Sequence, residues 1–265
     1  MMIKQENILD QIVAHKKLEI IAAKSIINTS ELEKSEYFGR ECYLLRDFIL
    51  DNQLTGIIAE FKRKSPSKGI INDAVDVAEV TKSYVSAGAS ALSVLTDSKF
   101  FGGKREDLQQ ARKVNNIPIL RKDFILEEYQ IVEAKAWGAD IILLIASILN
   151  PSRIQQLAKF SKSLGLNVLL EVHNLEELKR SLCDELDAVG INNRNLGTFG
   201  VTVDHSYNLL SEIPDQFLKI SESGLSNPET VSGLKKAGFN GFLIGENFMK
   251  EANPGQAMKD FVKHI

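Results

Sequence analysis

Eight short apolar runs recur along the chain, beginning near Gly56, Ala91, Ile117, Ala139, Asn167, Ala188, Leu218 and Gly241. Each is followed by a polar turn and then by a helix-like stretch, among them VDVAEVTKSYVSAG, KREDLQQARKVN, LEEYQIVEAKAWG, PSRIQQLAKFSKSLG and NLEELKRSLC. Strand and helix in alternation, with short connections, predict repeated βαβ units and a parallel sheet. Gly88, Gly138, Gly165 and Gly238 fall where helices should stop, and Pro151 and Pro228 where helices should start. Eight such units predict an α/β fold of the closed (β/α)8 barrel type. An open doubly wound sheet is the competing architecture. It would show a Gly-rich turn after the first strand, and KRKSPSKG lacks that pattern.

Residues 1 to about 50 precede the first strand. ILDQIVAHKKLEIIAAK reads as an amphipathic helix, with Ile8, Ile12, Val13, Leu18, Ile21 and Ala22 at helical spacing. A second helix is expected over Leu44 to Asp51. This N-terminal helical extension should either cap the barrel floor or fold over its mouth. We expect residues 1–265 to form a single barrel domain that includes it.

Composition narrows the picture. A length of 265 residues with 44% hydrophobic side chains supports one large core. The net charge of -3 argues against a nucleic-acid partner, which would meet a basic face. Two cysteines, Cys42 and Cys183, are too few for a disulfide framework and favour a reducing cytoplasm. The opening MMIKQENILDQIVAHKKLEI lacks a secretory pattern, and the run Ile141 to Ile148 is too short to span a bilayer, so no membrane association is expected.

Candidate chemistry lies at the downstream ends of the strands, where barrels of this kind carry their working groups. In GIIAEFKRKSPS, Glu60 and Lys62 are two apart and point to one side of a strand. A charge inside an apolar strand costs several kcal/mol unless it is paired. The same alternation brings in Lys122, Glu171, Asn192, Arg194 and Glu222 from later strands. A lone charge of this kind more often makes a structural ion pair. Six or seven on the inward side of one barrel weigh the other way.

Ser223–Gly224 and Gly245–Glu246 follow the seventh and eighth strands, where barrels frequently bind phosphate through backbone N–H groups. Glu246 must then turn its carboxylate away from the anion. Phe101, Phe124 and Leu196 fall just past strands two, three and six, and with Leu143 and Ile145 they could form a slot for an aromatic ring. His15, His205 and His264 lie away from strand ends. His173 follows Glu171 by two, without a second ligand at metal spacing, so no metal is expected. Ser65 and Ser67 lack the Gly-x-Ser-x-Gly setting of a serine hydrolase.

IIAEFKRKSPSKG, VLTDSKFFGG, PILRKDFI, LLEVHN, GINNRNL, SESG and FLIGENFM, in this order, resemble the motifs of the indole-3-glycerol phosphate synthase family. The match runs from about Ile57 to Met249, and EFKRKSPS with INNRNL is its specific part. The resemblance implies a (β/α)8 barrel with N-terminal helices. It implies conversion of 1-(2-carboxyphenylamino)-1-deoxyribulose 5-phosphate to indole-3-glycerol phosphate, carbon dioxide and water. Lys122 would be the general acid on the ribulose carbonyl, and Glu171 would assist proton transfer in the dehydration. Lys62 would hold substrate anions and serve the leaving hydroxyl. Glu60 and Asn192 would orient intermediates, with Arg194 supporting Glu60. Ser223, Gly224, Gly245 and Glu246 would hold phosphate, and Phe101, Phe124, Leu143, Ile145 and Leu196 would pack on the anthranilate ring. Ser65 and Glu222 complete the substrate-binding set.

Two positions depart from the family pattern. Glu246 stands where some members have Ser, and Lys104 follows FFGG at an often small or polar site. No fused isomerase domain is expected. The reaction needs no external electron sink, so no cofactor is implied. The expected partner is a phosphorylated small molecule, and the expected state is a monomer. Burial and nearby cations would lower the Lys122 pKa while Glu60 or Glu171 would raise it, so the residues alone leave the sign open. Two other functions compete: another sugar-phosphate barrel enzyme such as phosphoribosylanthranilate isomerase, and a non-catalytic phosphometabolite-binding barrel.

Overall fold

The computed structural model describes residues 8–195 and 200–265. Eight parallel strands close into a barrel: β1 (Ile57–Phe61), β2 (Ala91–Leu95), β3 (Ile119–Lys122), β4 (Ile141–Ile145), β5 (Asn167–Val172), β6 (Ala188–Asn192), β7 (Leu218–Glu222) and β8 (Gly241–Ile244). Closure comes from β1, which pairs with both β2 and β8. Helices follow the strands, and Pro151 and Pro228 open two of them. A short antiparallel hairpin, Lys64–Ser65 with Gly69–Ile70, stands in the loop after β1. No helix among the described residues is long and apolar enough to cross a membrane.

Strand alternation sorts the core into two parts. Ile57, Ala59 and Phe61 of β1 face the surrounding helices with Leu92, Val94, Ile142 and Leu144. Ile58, Ala91, Leu120, Ile141, Leu143, Leu169, Leu218 and Ile220 fill the barrel interior. The period of two along each strand makes this division. Strands β3 and β4 start two residues later than the apolar pattern suggests. At that level Asp140 is a floor bracket instead, taking the N–H groups of Ile119 and Tyr43 at 2.9 Å each and the Arg40 guanidinium at 2.6 Å.

The extension does both things expected of it, with different parts. Helix Leu45–Ile49, shorter than the Leu44 to Asp51 span, inserts Leu45 and Ile49 into the interior cluster from below. The Leu45 N–H is held by Asn167 Oδ1 at 3.1 Å. Helix Ile8–Ile26 instead runs to the mouth, where Ile8, Leu9 and Ile12 line the pocket. Its inward stripe is Ile12, Lys16 and Ile20, while Leu18 and Ile21 are 65% and 66% exposed. The amphipathic reading of that helix therefore placed Leu18 and Ile21 on the wrong side. The physical reason is Lys16, whose ammonium reaches buried Asp97 at 3.0 Å and Asp123 at 2.8 Å and fixes the helix rotation.

Candidate active site

Inward-facing residues at the upper strand ends form two linked polar groups. On β1, Glu60 accepts from Lys62 Nζ at 2.9 Å and from Ser93 Oγ of β2 at 3.1 Å. The register that sets Glu60 beside Ser93 makes the second bond possible. Across the barrel, Lys122 Nζ donates to Glu171 Oε2 at 2.9 Å and to Glu222 Oε2 at 3.2 Å. Asn192 Nδ2 donates to the other Glu171 oxygen at 3.2 Å, and its Oδ1 accepts the Arg194 N–H at 3.0 Å. Space for Glu222 comes from Gly190 on β6, where a Cβ would lie 2.1 Å from its Oε1.

These pairings bias the protonation states. Burial disfavours the Lys122 ammonium, but the charges of Glu171, Glu222 and Glu60 outweigh it and hold its pKa above the usual value. Glu60 is fully enclosed, yet Lys62 and Lys122 hold it below the usual carboxylate range. One ammonium shared by two carboxylates cannot serve both equally. Burial acts on each. Glu171, which also has His173 and Asn192 beside it, stays low, whereas Glu222 is pushed up by burial and by Glu171. Glu222 Oε1 has no hydrogen-bond partner among the described residues.

The polar groups floor a pocket at the barrel mouth. Its apolar wall holds Phe101, Phe124, Leu143 and Ile145, joined by Leu95 and by Ile8, Leu9 and Ile12 of the first helix. The Phe101 and Phe124 rings stand 5.9 Å apart, centre to centre, at 38°. Ser65 lines the same space. Leu196, also read as part of the slot, lies outside the described residues.

A more polar nook adjoins it, lined by Lys62, Ser67, Lys68, Arg194, Ser223, Gly224, Gly245 and Glu246 among others. Ser223 and Gly224 are both left-handed, with φ of 67° and 74°. A non-glycine residue held there is strained, and such strain concentrates at functional sites. Gly245 is required by a neighbour as much as by any ligand, since a Cβ there would lie 2.7 Å from Glu60 Oε1. Glu246 Oε2 lies 3.5 Å from Arg194, and its Oε1 lies 3.9 Å from Lys68. The expected Arg194–Glu60 support is thus replaced by Arg194–Glu246, because Lys62 and Ser93 already occupy Glu60.

One feature escaped the sequence reading. Lys16 is 2% exposed and ties the first helix to Asp97 and Asp123. Asp97 caps the short helix Ser98–Phe101, and Asp123 directly follows Lys122, so this one lysine braces both sides of the slot. The available signal was a lysine spaced four from both Ile12 and Ile20. His173, read from the sequence as following Glu171 by two, has its Nε2 3.5 Å from Glu171 Oε1.

Comparison with known proteins agrees with this geometry. The family model of indole-3-glycerol phosphate synthase matches residues 9–261. The indole-3-glycerol phosphate synthase of Bacteroides thetaiotaomicron is 46% identical over 260 residues, covering 98% of this chain and 99% of that protein. Among solved structures, a mutant tryptophan synthase alpha-subunit from Pyrococcus furiosus superposes with a TM-score of 0.61 at 15% identity, over 79% of this chain and 96% of that one. A native KDPGal structure gives 0.56 at 16% identity, over 79% and 94%. These two likenesses speak for the barrel alone. The chain belongs to the indole-3-glycerol phosphate synthase family and is a carbon–carbon lyase of that type.

Proposed function

We propose that the mouth closes the pyrrole ring of 1-(2-carboxyphenylamino)-1-deoxyribulose 5-phosphate, and that Lys122 is the acid that begins the reaction. The observation carrying this reading is the Lys122 ammonium, held by Glu171 and Glu222 at 2.9 and 3.2 Å in a pocket that also contains Phe101 and Phe124. The substrate ring would lie in the apolar slot, with its phosphate in the nook beside Gly224 and Gly245. Holding both ends supplies orientation for an otherwise sluggish attack.

The ring carbon bearing the carboxylate bonds to the ribulose carbonyl carbon, and Lys122 gives a proton to the carbonyl oxygen. Proton donation of this kind is typically worth ~10²–10⁴-fold. The bond to the carboxylate then breaks, carbon dioxide leaves, and its electron pair restores the aromatic ring through the adjacent iminium. In the dehydration Glu171 takes a proton from the carbon next to nitrogen, and the C–H electron pair becomes the new ring double bond. The hydroxyl leaves as water with a proton from the mouth, where Lys62 is the nearest cation to Glu60. Asn192, Glu60 and Glu222 orient the intermediates, Ser65 and Arg194 line the rim, and Ser223, Gly224, Gly245 and Glu246 offer backbone groups to the phosphate.

Every side chain in this scheme comes from one chain, which supports a monomer as the active unit. Free thiols at Cys42 and Cys183 support a reducing, cytoplasmic setting. The test is direct. Purified protein mixed with the substrate should develop indole fluorescence, and Lys122→Ala should keep its circular dichroism spectrum while turnover falls by at least ~10²-fold. Near-parental kcat in that variant would remove Lys122 from the acid role, and ligand binding with no product at all would favour a binding protein.

A further inference from the structure

A buried polar ring braces the loop after β7 from behind. Asn193 directly follows β6 and continues the outward side of Val189 and Ile191, while its neighbour Asn192 lines the mouth. Asn193, Ser206 and Ser221 are each 0% exposed. Polar groups at that depth need partners, and these have them. Asn193 Nδ2 donates to Ser221 Oγ and to the Ser223 carbonyl, at 3.1 Å each. Asn193 Oδ1 accepts the Ser206 N–H at 3.2 Å and the Ser206 hydroxyl at 2.9 Å. A backbone N–H can only donate, so it fixes which end of the amide is oxygen. Ser221 Oγ lies 2.7 Å from Ser206 Oγ and gives its own proton there. The three side chains thus close a ring in which every donor points the same way round, and such bonds strengthen one another. One amide hydrogen stays outside the ring and goes to Ser223.

Ser223 is where such a brace matters. Among the described residues it is the only non-glycine with a positive φ. A residue strained in this way keeps its conformation only where its surroundings hold it. The Ser223 carbonyl and the Gly224 N–H belong to one trans peptide and point in opposite directions. Asn193 draws the carbonyl inward, so the N–H is aimed outward. Gly224 lines the polar nook, and its N–H donates to no described residue. Asn193 itself lines neither pocket.

We propose that Asn193 is a positioning residue for the substrate's phosphate: by holding the Ser223 carbonyl it presets the Gly224 N–H as an anion donor. The inference rests on the phosphate reading of this nook and adds the group that sets the donor's direction. Ser206 and Ser221 hold the amide, and the amide holds the peptide. A donor fixed in advance meets the anion without reorganising, so less of the binding energy is lost to ordering the loop. Without the amide hydrogen the peptide is free to turn, Ser223 relaxes, and the N–H leaves the nook.

The test compares the substrate with the same compound lacking its phosphate, and adds inorganic phosphate as a competitor. Asn193→Asp keeps the shape and the acceptor but removes both amide hydrogens. We expect the inhibition constant of inorganic phosphate and the KM of the phosphorylated substrate each to rise about 10-fold. Turnover number should fall less than KM rises, and kcat/KM on the phosphate-free compound should match the parent's. Ser206→Ala opens the ring but spares the bond to Ser223, so both constants should rise about 3-fold; this variant carries the test if Asn193→Asp does not fold. Parental phosphate inhibition in either folded variant would overturn the proposal. So would an equal loss on both compounds, which is what a merely structural asparagine would give. Failure of the phosphate reading looks different, because the parent itself would then ignore inorganic phosphate and accept both compounds alike.

Discussion

Glu222 shows how one residue trades stability for chemistry. It is 1% exposed, shares an ammonium with Glu171, and has one oxygen without a partner among the described residues. Its pKa is raised. A carboxyl group raised in the fold keeps its proton longer than in the unfolded chain. The folded state therefore loses stability as pH rises from the ordinary glutamate value of about 4.3 through the folded value. Glu222→Gln should remove that slope. The variant is expected to be on the order of 1–3 kcal/mol more stable than the parent at pH 8 and nearly equal at pH 4, read from urea midpoints at both pH values. A variant less stable at pH 8 would mean that the Lys122 bond outweighs the desolvation of the carboxylate. Gly245→Ala makes a companion case. Its methyl would drive against Glu60 at 2.7 Å, so kcat should fall more than phosphate-dependent KM rises.

At the scale of elements, the first helix is a clamp seated by an ion cluster. Lys16 meets Asp97, Asp123 and Glu19 within 3.0 Å, and Arg121 takes the other Asp123 oxygen at 3.1 Å. Removing one member of a buried pair leaves the rest uncompensated, commonly at a cost of ~3–5 kcal/mol. Lys16→Met should lower the urea midpoint by the equivalent of about 3 kcal/mol and raise KM by loosening Phe101 and Phe124, while Lys17→Met does neither. A stable Lys16→Met protein with parental KM would show that the helix seats by its apolar contacts alone. This cluster also marks where the sequence stopped being legible. Glu60 with Lys62, Lys122, Glu171, Asn192 and Glu222 could be read because strand alternation is local and turns position into direction. The rotation of the first helix could not, because it is decided by carboxylates roughly a hundred residues away in the chain. Leu18 and Ile21 look like core by spacing, yet Lys16 takes the inward position. The Arg194 partner was missed for a similar reason, since its choice between Glu60 and Glu246 depends on what Lys62 and Ser93 already hold.

For the whole molecule, the same buried charges set the pH range of the fold. Asp123 is buried, but Lys16 and Arg121 depress its pKa, and Lys62 and Lys122 depress that of Glu60. Depressed carboxylates contribute stability that is complete above their unfolded values, near 4, and lost as pH falls through the folded ones. Lys16 has the opposite sense: its raised pKa contributes stability present below the ordinary lysine value of about 10.4 and lost above it. The thermal unfolding midpoint should therefore fall steeply below about pH 4 and again above about pH 10. A calorimetric midpoint at pH 3 equal to that at pH 6 would mean these carboxylates are not held low.

The stopper at the base of the barrel has its own consequence. Leu45 and Ile49 shut the lower end, and packed side chains fill the space above them. The centre is thus a blind well, in which arrivals and departures share one rim. On the proposed reading carbon dioxide, the smallest product, would be set free inside this well, whose wall includes the greasy panel of Ile8, Leu9 and Ile12. Its escape would then pass a still-tethered organic product, and that panel would be a toll point for the gas as well as a wall for the ring.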